Sequence, residues 1–288
     1  MALNIAVYLG GSQLSRWGAN VGPLTLSGEY WRLVTAAFVH AGFLHIAFNM
    51  WCLYSLGRVS ERLFGKIATV LLYLLTGVGG AILSLAYDHT RSEVGASGAI
   101  FGLAGAILIG VKFGDLAMPS GEKRALFGSL VFFIGINFFL GMGGNVDNMC
   151  HLGGFVSGLI IGLPMASSFS SSKAGEFIRI SVLTGAALLL LLAGHELVRL
   201  HGHESRLFVA TRYANAGDFP SATAILERDT TSGQTSSETY ALLGQIYEVT
   251  LQRDKAAMAY ERALALNPSD EEAKDGLQRM RGDVPQTK

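Results

Sequence analysis

Charged side chains are scarce in this sequence. Only 15% of its 288 residues are charged, against roughly 25% in an ordinary soluble domain, and half of them are apolar. The shortage is confined to one part of the chain: residues 1–200 carry 12 basic and 9 acidic side chains, whereas residues 201–288 carry 10 and 13. The first part is too poor in charge for a soluble surface, which excludes a single soluble globular enzyme.

Basic clusters, cysteine pairs and a leader sequence are also missing. No patch of Lys and Arg marks a nucleic-acid-binding face, so we expect no nucleic-acid partner. The two cysteines, Cys52 and Cys150, lie in apolar surroundings and predict no disulfide framework. The apolar start of the chain lacks the basic flank and the length of a cleavable signal peptide. We predict no metal site and no cofactor.

Long apolar segments are what the first part of the chain has instead. A helix needs about 20 residues to cross a hydrocarbon core of about 30 Å. The candidate spans are residues 38–56, 67–87, 126–142, 149–166 and 177–194. Residues 97–111 are apolar but extend only about 22 Å, and residues 2–10 form a stub too short to cross alone. The pattern predicts an all-α, polytopic membrane protein.

The basic residues of the loops predict how the segments are oriented. They gather in alternate loops, as Arg58, Arg62, Lys66, Lys112, Lys123, Arg124 and Lys173. Cytoplasmic loops carry such an excess of Lys and Arg, so we expect these loops to face the cytoplasm. If the stub counts as a crossing, the chain has seven spans, and residues 201–288 lie outside the cytoplasm.

The last part of the chain has the pattern of helical repeats. Its positions match the tetratricopeptide (TPR) pattern at Tyr240, Leu243, Gly244, Tyr247, Ala256, Tyr260, Ala263 and Pro268. Tyr213 and Ala222 precede Tyr247 and Ala256 by one TPR period. We predict a small TPR-like module that binds a protein partner or self-associates; an ordinary amphipathic helix pair is the alternative.

Three domains are therefore expected. Residues 1–168 form the membrane core, and residues 169–200 form a polar linker with one additional span. Residues 201–288 form the TPR-like module.

Four polar side chains of the membrane core are candidates for chemistry, because polar groups inside a membrane are costly to bury. Ser97 begins an apolar segment within the sequence GASG, and His151 begins another within CHLGG. His45 and Asn49 are four residues apart, on one face of a helix. The loops before Ser97 and His151 are both predicted to be non-cytoplasmic, so we expect these residues to meet near the outer leaflet.

Small residues allow such a meeting. The segments that carry Ser97 and His151 have glycines at GxxxG spacing, namely Gly98, Gly102, Gly154, Gly158 and Gly162. A serine next to an imidazole base becomes a nucleophile. The backbone N–H groups of Ala96 and Ser97 and the side chains of His45 and Asn49 are candidate donors to an oxyanion.

Each of these features alone also has a purely structural explanation. Ser97 fits a helix N-cap, His151 fits a satisfied buried histidine, and His45 with Asn49 fits an interhelical hydrogen-bonding pair. Asp147, one turn before His151, is either a third member of a triad or a solvated loop residue. The combination of four polar groups at matching depth favours a catalytic site.

At these residues the sequence resembles the rhomboid family of intramembrane serine proteases, over about residues 28–168. The resemblance rests on Trp31-Arg32, on His40 and His45-x-x-x-Asn49, on Gly95-Ala96-Ser97-Gly98 with Phe101, and on His151-x-x-Gly154-x-x-x-Gly158. It implies a six-plus-one arrangement of spans with a short first span, followed here by the TPR-like module.

The resemblance also implies roles for individual residues. Ser97 would be the nucleophile and His151 the general base of a Ser-His dyad without an essential carboxylate. His45, Asn49 and the Ser97 N–H group would form the oxyanion hole, and Phe101 would place its ring against the catalytic histidine.

The implied function is cleavage of single-span membrane proteins at small residues near the outer leaflet. The protein would be a multi-pass protein of the bacterial plasma membrane, with its site on the non-cytoplasmic side. The alternative is a catalytically inert rhomboid-like protein that binds transmembrane helices as a chaperone or adaptor. A channel or transporter is disfavoured, because the polar groups concentrate on one side of the membrane.

Two positions depart from the family pattern. Cys150 stands where many relatives have a small alanine, and we expect its thiol to crowd the helix interface. Residues 2–10 are too short for the full-length first helix of relatives.

Overall fold

The computed structural model describes residues 1–114, 118–143, 146–166, 173–231 and 235–282. The polar linker expected around residues 169–172 lies outside these ranges. The chain divides into two compact units, Met1–Val198 and Arg199–Lys288.

The first unit consists of helices and one short strand pair. Its elements are α1 (Ala2–Leu9), α2 (Gly11–Gly18), β1 (Asn20–Val21), α3 (Gly22–Ser27), α4 (Arg32–Thr35), a 3₁₀ turn (Ala36–Phe38), α5 (Phe43–Phe64), α6 (Lys66–Tyr87), β2 (Ser92–Glu93), α7 (Ser97–Phe113), α8 (Ser120–Gly141) and α9 (Asn148–Met165). The 43-residue helix α10 (Lys173–Asn215) includes the point at which the two units divide. The two strands pair antiparallel, with Asn20 opposite Glu93.

In the described part of the chain, four helices are long and apolar enough to cross a membrane. These are Lys66–Tyr87, Ser120–Gly141, Asn148–Met165 and Ala174–Asn215. A fifth span results if Arg32–Phe38 and Phe43–Phe64, which meet at a bend of 95°, are taken together. Helix α7 is apolar but only 17 residues long. The first unit is thus an all-α bundle of the polytopic membrane type.

The helix at the first long apolar segment begins later and ends later than the hydropathy predicts. The expected span was residues 38–56, whereas α5 runs from Phe43 to Phe64. The backbone leaves the 3₁₀ turn at Val39 in an extended conformation and is still extended at Gly42, which caps α5. The charged residues beyond residue 56 do not end the helix, since long basic side chains can extend from a helix end toward the membrane surface.

Helix α7 lies at the centre of the first unit, and glycines let its neighbours approach its backbone. A Cβ atom at Gly154 or Gly158 of α9 would collide with the carbonyl oxygens of Gly98 and Gly102, respectively. Twelve of the 17 residues of α7 are buried. Backbone-to-backbone packing of this kind is how small residues join transmembrane helices, and here it fixes α9 against α7.

Helix α1 is attached to the bundle by polar contacts. Asn4 is buried and donates from Nδ2 to the carbonyl oxygen of Ala37 at 2.9 Å. The Tyr73 hydroxyl group of α6 donates to the same carbonyl oxygen at 3.0 Å. A buried carbonyl oxygen has two lone pairs, and in this case two different helices occupy them.

The second unit is entirely helical over its described residues. Besides the end of α10, it contains α11 (Phe219–Thr231), α12 (Ser237–Val249), α13 (Arg253–Leu266) and α14 (Glu271–Arg281). The ring of Tyr260 on α13 is fully buried. It fits against Gly244 of α12 and Gly276 of α14, where a Cβ atom would meet the ring. Consecutive helices thus pack around one aromatic side chain.

Candidate active site

Ser97 is the first residue of α7, and the loop before it is fixed from two sides. Gly95 has a φ of +130°, a conformation that side chains rarely adopt. Its N–H group donates to the carbonyl oxygen of Ala36 at 3.0 Å. Ala96 precedes the helix without a capping side chain. The first N–H groups of a helix have no partner inside the helix, so the backbone at Ser97 is a source of free donors.

His151 lies in the first turn of α9 and is held by ring stacking. It is only 6% exposed. Its imidazole stacks on the ring of Phe101, with the centroids 4.3 Å apart and the planes 11° apart. Phe138 of α8 approaches both rings edge-on. The ring of His151 is therefore clamped by aromatic side chains.

Among the described residues, no carboxylate orients His151. Its Nδ1 atom is buried and has no hydrogen-bonding partner among the described residues. Asp147 lies next to the start of the same helix, but its carboxylate accepts from the Cys150 N–H group at 3.0 Å and from the Ser84 hydroxyl group. The structure thus gives Asp147 the role of a helix cap.

Ser97 and His151 line one small cavity. The cavity has a volume of about 140 Å³, and its walls also include His45, Asn49 and Phe101. The close approach of α7 and α9 brings their first turns to this point. Five of the six residues predicted for the site therefore share one cavity; Ala96, the sixth, is fully buried beside it.

The tautomer of His45 follows from its hydrogen bond. The Ala41 N–H group donates to Nδ1 of His45 at 3.4 Å, so the other nitrogen, Nε2, carries the proton in the neutral ring. That nitrogen lies 2.9 Å from the point where a Cβ atom of Gly95 would lie, and the Ser97 Oγ atom lies 3.7 Å from the same point. His45 Nε2 and Ser97 Oγ therefore both lie next to the backbone of Gly95.

Asn49 is buried on the same helical face as His45. Its Nδ2 atom donates to the carbonyl oxygen of His45 at 2.9 Å. A carboxamide nitrogen has two hydrogens, so one N–H bond remains for a ligand in the cavity.

A second, larger cavity extends from Ser97. It has a volume of about 610 Å³, and Ser97 and His45 line it together with three charged residues, Arg91, Glu93 and Asp147. Glu93 is a residue of this cavity for which no role was predicted from the sequence. The feature that could have indicated a role is its position: Glu93 is an acidic residue four positions before Ser97, in a part of the chain that is poor in charge.

The Trp31-Arg32 pair organises the segment that precedes the bend. Arg32 is 5% exposed. Its Nη1 atom donates to the carbonyl oxygens of three residues, Arg16, Trp17 and Ala19, at 2.7–2.9 Å. Its Nε atom donates to Glu29 at 2.6 Å. The ring of Trp31 stacks on that of Trp17 at 6.0 Å. This guanidinium group therefore caps the C-terminal end of α2.

Cys150 is accommodated by two glycines. Its Sγ atom lies 3.0 Å from the place of a Cβ atom on Gly80 of α6 and 2.6 Å from that on Gly98 of α7. The thiol fills the space that these glycines leave open, which is how the interface accepts a side chain larger than alanine.

Comparisons with known proteins agree in pointing to one family. The rhomboid domain model matches residues 27–168. The chain is 30% identical over 267 residues to the rhomboid protease GluP of Bacillus subtilis, covering 89% of this chain and 50% of the relative. It is 39% identical over 150 residues to RHOMBOID-like protein 1 of Arabidopsis thaliana, covering 52% and 38%. With RHOMBOID-like protein 2 of the same plant it shares 42% identity over 132 residues, covering 46% and 41%.

The chain spans about half the length of these curated relatives or less. The matched segment contains the bend, the GASG turn and the start of α9. Residues 27–168 match the rhomboid domain, and this match together with the relatives supports placing the chain in the rhomboid family.

Proposed function

We propose that the chain is an intramembrane serine endopeptidase, with Ser97 as the nucleophile and His151 as the general base. The observation that carries the proposal is the shared cavity: a serine hydroxyl group, an imidazole and two further donors line about 140 Å³ inside a bundle of apolar helices. A nucleophile with a base and with donors for an oxyanion is the set that acyl transfer requires.

In the proposed first half-reaction, Ser97 Oγ attacks the carbonyl carbon of the scissile bond, and the imidazole of His151 accepts the hydroxyl proton. The tetrahedral intermediate then collapses. Its C–N bond breaks, and the leaving amine takes the proton from His151. An ester to Ser97 remains.

The negative charge of the intermediate falls on the former carbonyl oxygen. The Nε2–H group of His45, the remaining Nδ2–H bond of Asn49 and the N–H group of Ser97 are the donors that we assign to it. Preorganised donors of this kind commonly lower a barrier by about 2.7–4 kcal/mol each.

Water completes the reaction in the second half. It loses a proton to His151 and attacks the ester carbon. The C–O bond to Ser97 then breaks, His151 returns the proton to Ser97 Oγ, and the new carboxyl terminus leaves. We assign the supply of water to the cavity of about 610 Å³, whose charged residues can hold it. Water and irregular backbone are tolerated at membrane depth only where protein shields them from lipid.

We propose that the substrates are single-span membrane proteins, cut at small residues near the outer leaflet of a bacterial plasma membrane. The excess of basic residues in alternate loops supports this orientation. The segment between the 3₁₀ turn and α5 is extended at Val39 and Gly42 and shortly precedes His45 in the chain. We propose that an unwound substrate strand binds along it.

We further propose that residues 201–288 are a TPR-like module that recruits a protein substrate or partner. Seven of the eight matches to the TPR pattern fall on α12 and α13, where Gly244 makes room for Tyr260. Repeats of this kind present a concave surface to a ligand.

The test of catalysis is a Ser97→Ala variant, assayed with a single-span model substrate in proteoliposomes. Cleavage should vanish while membrane insertion stays intact. Ser129→Ala is the matched control, because the Ser129 hydroxyl group bonds only within its own helix, to Ala125, at an exposed position. A fluorophosphonate probe should label the wild type and the control, but neither Ser97→Ala nor His151→Ala. Undiminished cleavage by Ser97→Ala would favour an inert binder of transmembrane helices, with a contaminating protease.

The test of recruitment compares two substrates, one full-length and one reduced to its transmembrane segment. Removal of residues 201–288 should slow cleavage of the full-length substrate selectively. Equal effects on both substrates would refute recruitment by the module.

A further inference from the structure

Glu93 and Asp147 both line the larger cavity, and their side chains are within hydrogen-bonding reach of each other. Glu93 belongs to β2 in the loop before α7, and Asp147 precedes α9. The two acids thus connect the loop that leads to Ser97 with the helix that carries His151.

Glu93 receives few hydrogen bonds. Asn20 of β1 donates from Nδ2 to Oε1 of Glu93 at 3.0 Å. The Thr25 hydroxyl group donates to Oδ1 of Asn20 at 2.6 Å, which fixes the orientation of the amide. The other oxygen of Glu93, Oε2, is buried and has no partner in the ranges that the structure describes.

Asp147, by contrast, is surrounded by donors. The Cys150 N–H group, the Ser84 hydroxyl group and the Arg91 guanidinium group all address its carboxylate, the last at 3.3 Å. Both carboxylate oxygens of Asp147 therefore accept hydrogen bonds. The side chain is 13% exposed, so its charge is poorly screened by solvent.

A protonated Glu93 can donate a hydrogen bond to the carboxylate of Asp147, whereas an ionised Glu93 cannot. Burial is the main cause that raises the pKa of Glu93 to about 7, and the nearby charge of Asp147 raises it further, against the opposing hydrogen bond from Asn20. The titratable groups that face Glu93 are Asp147 and the thiol of Cys150. Arg91 faces Asp147, and His45 lines the same cavity.

We propose that Glu93 is a positioning residue for catalysis: its protonated carboxyl group donates to Asp147 and thereby holds the first turn of α9, with His151, against the loop of Ser97. This inference rests on the proposed protease function. Loss of the proton leaves two adjacent carboxylates, which repel each other and push the cap of α9 away from β2. The dyad then loses its alignment, and kcat falls while KM changes little.

The sign of the pH effect follows from the raised pKa. Glu93 is protonated below about pH 7 and ionises above it, so activity is retained on the acid side of that value and lost on the alkaline side. With a pKa of about 7, about half of the molecules keep the proton at pH 7 and about one in a hundred at pH 9. We expect kcat of the wild type to fall at least tenfold between these two values.

The experiment measures kcat and KM of the full chain in proteoliposomes from pH 7 to pH 9. Glu93→Gln keeps an N–H donor toward Asp147 at every pH, so its kcat should stay within about twofold over that range. Asp147→Asn removes the opposing charge and should flatten the profile as well. Asp88→Asn, a loss of charge at a half-buried position of the same loop, is the matched control and should keep the alkaline loss of the wild type.

An alkaline loss of equal size in Glu93→Gln and the wild type would overturn the inference. If Glu93→Gln fails to fold, the profile of Asp147→Asn decides in the same way. Absence of Ser97-dependent cleavage in the wild type at every pH would instead overturn the proposed function. The two failures are therefore distinguishable.

Discussion

A methyl group added at Gly158 should separate the two helices that carry the proposed dyad. In the structure, a Cβ atom at this position collides with the carbonyl oxygen and carbonyl carbon of Gly102. Both collision partners are backbone atoms, so no side-chain rotation relieves the contact. For Gly158→Ala, α9 must move away from α7 as a whole.

The magnitude follows from two opposing effects. Overpacking of a tight interface costs about 1–3 kcal/mol and occasionally more, whereas alanine gains about 1 kcal/mol over glycine in helix propensity. We expect a net loss of up to about 2 kcal/mol in the free energy of unfolding. Activity should fall further, because a displacement of about 1 Å at a reacting group costs about 10²-fold in rate. His151 lies two turns from Gly158 on the same helix.

The assays are thermal unfolding in detergent and cleavage in proteoliposomes. Gly185→Ala on α10 is the matched control, since nothing lies within 4 Å of the place of its Cβ atom. This variant should be neutral or slightly stabilised and fully active. A Gly158→Ala variant with the activity and stability of the control would refute the close-packing argument.

Three further substitutions address the surroundings of the proposed site. Phe101→Ala removes the ring that stacks on His151; kcat should fall at least about tenfold, and Phe101→Tyr should restore it, as single-turnover kinetics would show. Gly95→Ala strains a backbone at φ +130° and pushes on the His45 ring, so fluorophosphonate labelling should slow markedly. Arg32→Lys loses carbonyl contacts of the guanidinium group, and calorimetry should show a loss of about 1.5–3 kcal/mol in unfolding free energy.

Local sequence signals predicted the helix starts of the site to within about one turn. The GASG turn indicated a helix that begins at Ser97, and the structure begins α7 there. His151 follows its helix start at Asn148. Phe101 lies one turn after Ser97, which is why its ring reaches the cavity. Helix starts and contacts one turn apart depend on residues that are close in sequence, so local patterns are enough to predict them.

Hydropathy alone failed at the helix bounds. The apolar run continues through Val39 and Gly42, where the backbone is extended. Hydropathy therefore does not show that the helix is interrupted there. The last apolar run also ends near residue 194, while α10 continues to Asn215. Hydropathy measures what a segment contacts, not where its hydrogen bonds end.

The contact between Glu93 and Asp147 lay beyond any local pattern. The pairing of β1 with β2 fixes Glu93 beside Asn20, and the cap of α9 fixes Asp147. Residues distant in sequence must assemble before the two carboxyl groups meet. The sequence alone therefore predicted a solvated or triad-forming Asp147 and did not predict its partner.

The stacked pair Trp17 and Trp31 also gives the segment around Arg32 an optical signal of its own. The chain has three tryptophans, and the third, Trp51, is 66% exposed on α5. Two indole rings at 6.0 Å couple their electronic transitions, which a solitary ring cannot do. Near-ultraviolet circular dichroism can therefore follow this segment without an added label.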